Sequence, residues 1–203
     1  MKLICIGRNY ADHAKEMKAD LPTEPLFFMK PDTALLKDAT EFYLPELNSE
    51  IHFECELVVK INKAGKHIGV EFAHKYYSEI TLGLDLTARD LQAKCKEKGL
   101  PWEIAKAFDN SAPISNKWIN VADISLTDLS FRFFQNGELK QHGFTKDMIF
   151  SIDTIISYVS QYITLKTGDL IFTGTPAGVG PIQIGDKLEG FLEENKLFEF
   201  TVK

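Results

Sequence analysis

Short runs rich in β-branched and aromatic residues recur along this chain, and turn residues separate them. The run EITLGLDL carries the clearest period of two: Ile80, Leu82, Leu84 and Leu86 fall on one strand face, and Thr81, Gly83 and Asp85 on the other. The same reading predicts strands in LFFMK, HFECELVVKI, LSFRFFQNG, DLIFTGT, KLEGFLEEN and KLFEFTVK, after an opening strand over 2–6 that Gly7 breaks. Asn136-Gly137 and Glu194-Asn195 are turn signals between them.

Three segments suit helices instead. Residues 10–19 are rich in Ala, Lys and Glu, and Pro22 and Pro25 follow. A second helix is predicted from Thr87, with Asp90 in the position of a capping-box acid and Gly99 as the residue that closes it. A third covers 146–163, where Met148, Ile149, Ile152, Ile155, Ile156 and Val159 form a helical stripe. The mixture predicts an α+β, β-rich fold with a few short helices. With no repeat, low-complexity segment or linker, one domain over 1–203 is expected.

Composition narrows the function classes. At 203 residues, 44% hydrophobic and 26% charged, the chain can bury a sizeable core. Its net charge of −6 and lack of an arginine-rich run argue against nucleic acid as a partner. Cys5, Cys55 and Cys95 have no paired spacing, so neither a disulfide framework nor a zinc site is predicted. The opening MKLICIG is too short an apolar stretch for a signal peptide, and no run reaches membrane-spanning length. A cytoplasmic protein with no membrane partner is expected.

Candidate chemistry centres on carboxylates. In HFECELVV, Glu54 and Glu56 share a strand face and Cys55 takes the other, and Asp85 ends a second strand-like run. Paired acids on an apolar strand call for a hard divalent cation with oxygen ligands, or else they are charges on an exposed strand edge. Arg89 and Gln92 share a helix face from which Arg89 could reach back to Asp85 or pair with Asp90 at the surface. Lys106, among apolar residues in PWEIAKAFDNSAP, either snorkels from the core edge or is held for a buried anion. The Gly-rich TGTPAGVG is neither a Walker loop nor a dinucleotide fingerprint; it is an anion-binding turn with Thr173 and Thr175, or an ordinary one. His13 and Glu16 lie three apart on the first helix, as a water-activating pair or an exposed one. His52, His67, His74 and His142 lack metal-ligand spacing.

Together, GRNYADHAKEM, PLFFMKP, HFECELVV, LGLDLTARDLQ, PWEIAKAFDNSAPI, the MIF segment and TGDLIFTGTPAGVG resemble the fumarylacetoacetate hydrolase family from end to end. Leu84 before Asp85 makes the acylpyruvase and oxaloacetate decarboxylase group the nearest resemblance. The resemblance implies a mixed β-sandwich roll of that family's C-terminal domain type, usually a homodimer. It also implies Mg²⁺ at Glu54, Glu56 and Asp85, with Mn²⁺ or Ca²⁺ as alternatives. Lys106 would meet the substrate near the metal, and Arg8, Lys30, Arg89, Gln92 and Thr175 would line its pocket. His13 and Glu16 would form a lid pair that positions water.

The reactions so implied are hydrolysis of the C–C bond of acylpyruvates and decarboxylation of oxaloacetate, both acting on small keto acids through an enolate. An isomerase or tautomerase of 2-hydroxy-dienoic or oxaloacetate-type acids is the alternative enzyme. A ligand sensor retaining the fold is the alternative outside catalysis.

Overall fold

The computed structural model describes residues 1–37, 40–47 and 49–203. The opening apolar run forms β1 (Leu3–Gly7), followed directly by α1 (Ala11–Glu16). This helix is shorter than the predicted 10–19, because Tyr10 is extended and Lys18 takes a left-handed φ of 51°. The chain returns antiparallel to β1 as β2 (Leu26–Lys30). Short strands β3 (Leu35–Leu36) and β4 (Glu41–Phe42) lead to β5 (Ile51–Phe53) and the central β6 (Cys55–Ile61). A single turn, α2 (Val70–Ala73), joins β6 to β7 (Tyr77–Leu84). Then come β8 (Thr87–Ala88), α3 (Arg89–Lys98) and the one-turn α4 (Glu103–Lys106). Strands β9 (Ala112–Pro113) and β10 (Ile119–Asn120) precede the hairpin of β11 (Ser130–Gln135) and β12 (Glu138–Phe144). After α5 (Ile152–Tyr162), β13 (Leu170–Phe172) and β14 (Gly180–Pro181) lead to a last hairpin, β15 (Lys187–Leu192) and β16 (Asn195–Val202).

A mixed six-stranded sheet runs β10-β7-β6-β13-β1-β2, and a five-stranded sheet runs β12-β11-β15-β16-β4; both are open. The main core lies where they face each other, with Leu57, Val59 and Leu82 from the first sheet and Phe131, Phe133 and Phe200 from the second. Ile155, Ile156 and Val159 add the apolar face of α5. Leu3, Cys5, Val58, Ile114 and Phe172 form a smaller cluster on the reverse side of the first sheet. Strand β6 is covered on both faces, which is why its sequence is nearly all apolar. Its alternation sends Cys55, Leu57 and Val59 into the main core and turns Glu56 and Val58 the other way.

Asn136 and Gly137 both take positive φ, 55° and 79°, the primed turn that matches hairpin twist. Two helix starts differ from expectation. The predicted capping box at Thr87 does not form. Thr87 is paired in β8, its hydroxyl donates to the Asp85 carbonyl (3.1 Å), and the Asp90 carboxylate accepts from the Glu50 N–H (3.1 Å). Strand pairing has outcompeted the cap, although Gly99 does close α3, with φ 62°. The helix predicted over 146–163 begins at Ile152 instead. Met148 bridges to Tyr10, the Ile149 N–H donates to the Asn9 carbonyl (2.9 Å), and Ser151 caps α5 by accepting from the Thr154 N–H (3.2 Å).

Candidate metal centre and substrate cleft

Strand register assembles the acids. Antiparallel pairing of β6 with β7 sets Glu56 opposite Gly83 and Cys55 opposite Leu84, and the Asp85 N–H donates to the Glu54 carbonyl (2.8 Å). Glu54, Glu56 and Asp85 each bring a carboxylate oxygen within 4.8 Å of the others, and all three are buried. Gly83, opposite Glu56, lets Ile114 and Phe172 pack close: a Cβ there would meet both at 2.9 Å. The exposed-edge reading of E-x-E is thereby excluded.

Three basic side chains are committed to this cluster. Lys106 Nζ donates to Glu54 Oε2 and Asp85 Oδ2, both at 2.8 Å, so the snorkelling reading is excluded as well. Arg89 donates to Glu54 Oε1 (2.7 Å) and Gln92 Oε1 (2.8 Å) rather than pairing with Asp90. Lys30 Nζ lies 2.7 Å from Asp85 Oδ1, an ion pair between two buried side chains. Its hydrogen bonds go to the carbonyls of Ser111 (2.8 Å) and Leu86 (3.2 Å). Lys30 therefore supports Asp85 from behind, whereas a place on the pocket wall was expected.

The electrostatics differ from acid to acid. Burial raises the Glu54 carboxyl, but Lys106 and then Arg89 outweigh it and hold it well below the usual carboxylate range. Burial also opposes the Lys106 ammonium, yet Asp85 and Glu54 hold it well above an ordinary lysine. Among the described residues, Glu56 has no such cation in contact. It accepts a hydrogen bond from the Gly174 N–H (2.7 Å), and burial, then Asp85 and Glu54, push its carboxyl up.

A buried carboxylate without a basic partner, beside two others, is the environment a hard divalent ion corrects. Each oxygen also keeps a lone pair beyond its present contact. The donor set thus fits a divalent cation.

Above the acids opens a cleft walled by Arg8, His13, Arg89, Gln92, Lys106 and Thr175 among others. His13 Nδ1 lies 3.1 Å from Glu16 Oε2, and His13 is buried, so the pair is not a loose surface contact. Glu16 also accepts from the Gly178 N–H (3.1 Å), tying α1 to the Gly-rich loop. Thr175 lines the wall, but its hydroxyl proton goes to the Cys55 carbonyl (2.8 Å) and its oxygen accepts from Gln141 (2.8 Å). That hydroxyl is not a free donor for a ligand.

Two buried amides that the sequence reading missed hold the frame. Asn9 donates to the carbonyls of Thr173 (2.8 Å) and Phe150 (3.0 Å) and accepts from the Phe150 N–H (2.8 Å). Gly174, with φ 100°, passes so close that a Cβ there would lie 2.6 Å from Asn9 Cβ. Gln141 likewise accepts from the Cys55 N–H (2.9 Å) while donating to Pro176 and Thr175. Lys96 and Trp102 were missed on the cleft wall too. The spacing of Arg89, Gln92 and Lys96 on one helix face could have revealed Lys96.

Known proteins resemble this chain over its whole length. The mitochondrial oxaloacetate tautomerase of Mus musculus is 45% identical over 99% of this chain and 91% of its own. The mitochondrial oxaloacetate decarboxylase of Dictyostelium discoideum is 41% identical over 93% and 87% respectively. Among solved structures, fumarylpyruvate hydrolase from Pseudomonas aeruginosa, in complex with Mn²⁺ and pyruvate, superposes with a TM-score of 0.93. That match has 36% identity and covers 100% of this chain and 89% of the other. The family model for the fumarylacetoacetate (FAA) hydrolase C-terminal region matches residues 2–203. With that match and these relatives, the chain belongs to the fumarylacetoacetate hydrolase family.

Proposed function

We propose that the protein is a divalent-metal-dependent enzyme of 2-keto acids, with Mg²⁺ or Mn²⁺ as the working ion. Its reactions are hydrolysis of the C3–C4 bond of acylpyruvates and decarboxylation of oxaloacetate to pyruvate. One arrangement carries this reading: three buried carboxylates, two of them joined by Lys106, at the base of a cleft whose wall bears a paired histidine.

Glu54, Glu56 and Asp85 would hold the ion, which when bound supplies Lewis-acid polarisation of a 2-keto oxygen. Lys106 adds a fixed ammonium charge beside the acids, suited to the negative charge that develops as the keto group becomes an enolate. Arg8 and Arg89 make the same wall favourable to a substrate carboxylate.

Glu16, when ionised, can only accept, so His13 donates to it through Nδ1 and keeps the Nε2 lone pair as a base. For an acylpyruvate, that base takes a proton from water. The water oxygen bonds to the distal carbonyl carbon, and the C3–C4 pair moves toward the keto oxygen. The proton held by His13 passes to C3 of the enolate, and a carboxylic acid and pyruvate leave. For oxaloacetate the same bond breaks with loss of carbon dioxide and no attacking water.

A second reading, keto–enol tautomerisation of oxaloacetate, is favoured by the name of the Mus musculus relative. It needs a proton moved between C3 and the 2-keto oxygen, with the same histidine as the base at C3.

The test is turnover of acetylpyruvate, oxaloacetate and enol-oxaloacetate by purified protein with Mg²⁺ or Mn²⁺, then with a chelator. Metal-dependent turnover of at least one is expected, with Glu56→Gln abolishing it. Activity indifferent to chelation, or none on any of the three, would overturn the reading.

A further inference from the structure

Three basic residues, Lys30, Arg89 and Lys106, are already paired with two of the three acids of the cluster, Glu54 and Asp85. The cleft wall carries two more cations, Arg8 and Lys96, and among the described residues neither enters an ion pair. Lys96 stands at the rim, two turns along α3 from Arg89, and is exposed as a residue. Its ammonium end is nevertheless held inward, 5.4 Å from the centre of the Trp102 ring. Desolvation, followed by Arg89 and Arg8, lowers its pKa, so these like charges lie close enough to repel. Arg8 is fixed in a left-handed backbone conformation, φ 59°, uncommon outside glycine.

Charges that repel one another around a concave wall are costly unless an anion joins them. On the functional reading above, the keto oxygen of a 2-keto acid is accounted for by the metal centre and one carboxylate by the arginines of the wall. What remains is positive charge toward the cleft mouth.

We propose that Lys96, on the same cleft wall as Arg8, is a specificity-determining residue that selects 2-keto acids bearing a second carboxylate at the end remote from the acidic cluster. This rests on the 2-keto acid reading of the site. Trp102 fixes the ammonium in direction, and the preference is electrostatic, for a dianion over a monoanion of the same length.

The test compares 2-oxoglutarate with 2-oxopentanoate, a pair differing in the distal carboxylate, by calorimetric binding to the Mn²⁺-loaded protein. The wild type is expected to favour 2-oxoglutarate by about tenfold or more, the scale of one charged hydrogen bond. Lys96→Met, which keeps an unbranched stem against Trp102, should erase that preference, and Lys96→Arg should restore most of it. In kinetics, Lys96→Met should raise KM for oxaloacetate and leave kcat, and both constants for acetylpyruvate, within about twofold.

No preference in the wild type, or equal loss of both ligands in Lys96→Met, overturns the proposal. If the protein binds both keto acids with that preference but turns over none, the catalytic reading fails while this one stands. If it binds neither, both fall.

Discussion

Among the described residues, Glu56 has no basic side chain in contact, whereas Glu54 and Asp85 share three. Its raised carboxyl pKa means that the metal-free fold binds a proton there more tightly than the unfolded chain does. Stability of the metal-free protein therefore falls as pH rises from the unfolded carboxyl value through the folded one. A divalent ion competes with that proton. The melting-temperature rise caused by Mn²⁺ should be larger at about pH 7.5 than at about pH 5.5, as scanning calorimetry would read. Lys30→Met should cost the metal-free protein about 3–5 kcal/mol in urea unfolding, since it leaves Asp85 with a buried charge and one cation fewer. The acids were legible in the sequence because strand alternation fixes which side chains share a face. Asn9, Gln141 and the supporting position of Lys30 were not, because each acts across more than 50 residues on partners that no local period encodes.

Among the elements, α1 and α5 separate function from scaffold. α1 brings His13 to the cleft and is clasped by Glu16 to Gly178. His13→Ala should slow acetylpyruvate hydrolysis far more than oxaloacetate decarboxylation, because only the former needs an activated water; equal losses in steady-state rates would remove the base from the mechanism. α5 packs into the core and holds none of the cleft residues named above. Ser151→Ala should cost about 1 kcal/mol of stability, read by denaturant melts, and leave turnover unchanged. Strand-length apolar runs revealed most of the β elements. Helix starts were less readable: Met148 and Ile149 fit the stripe of α5 yet are drawn off to pair with Tyr10 and Asn9. Thr87 has cap chemistry but a strand neighbour in β5. In both cases tertiary pairing prevailed over a local preference worth about 1 kcal/mol.

For the molecule as a whole, the cleft draws on residues 6–28, the 54–106 region and the loop after β13. Among the described residues, no helix is long and apolar enough to cross a membrane. β1 pairs in parallel with β13, and the Asn9 carboxamide meets the Thr173 carbonyl 164 positions away. Contacts so distant along the chain are closed slowly, since loop entropy must be overcome before they repay it. During translation, the arginine and histidine made first must wait for a glycine-rich turn made near the end. Until β13 emerges from the ribosome, β1 and β6 lack the strand that lies between them in the finished sheet, and their apolar edges stand open to other nascent chains.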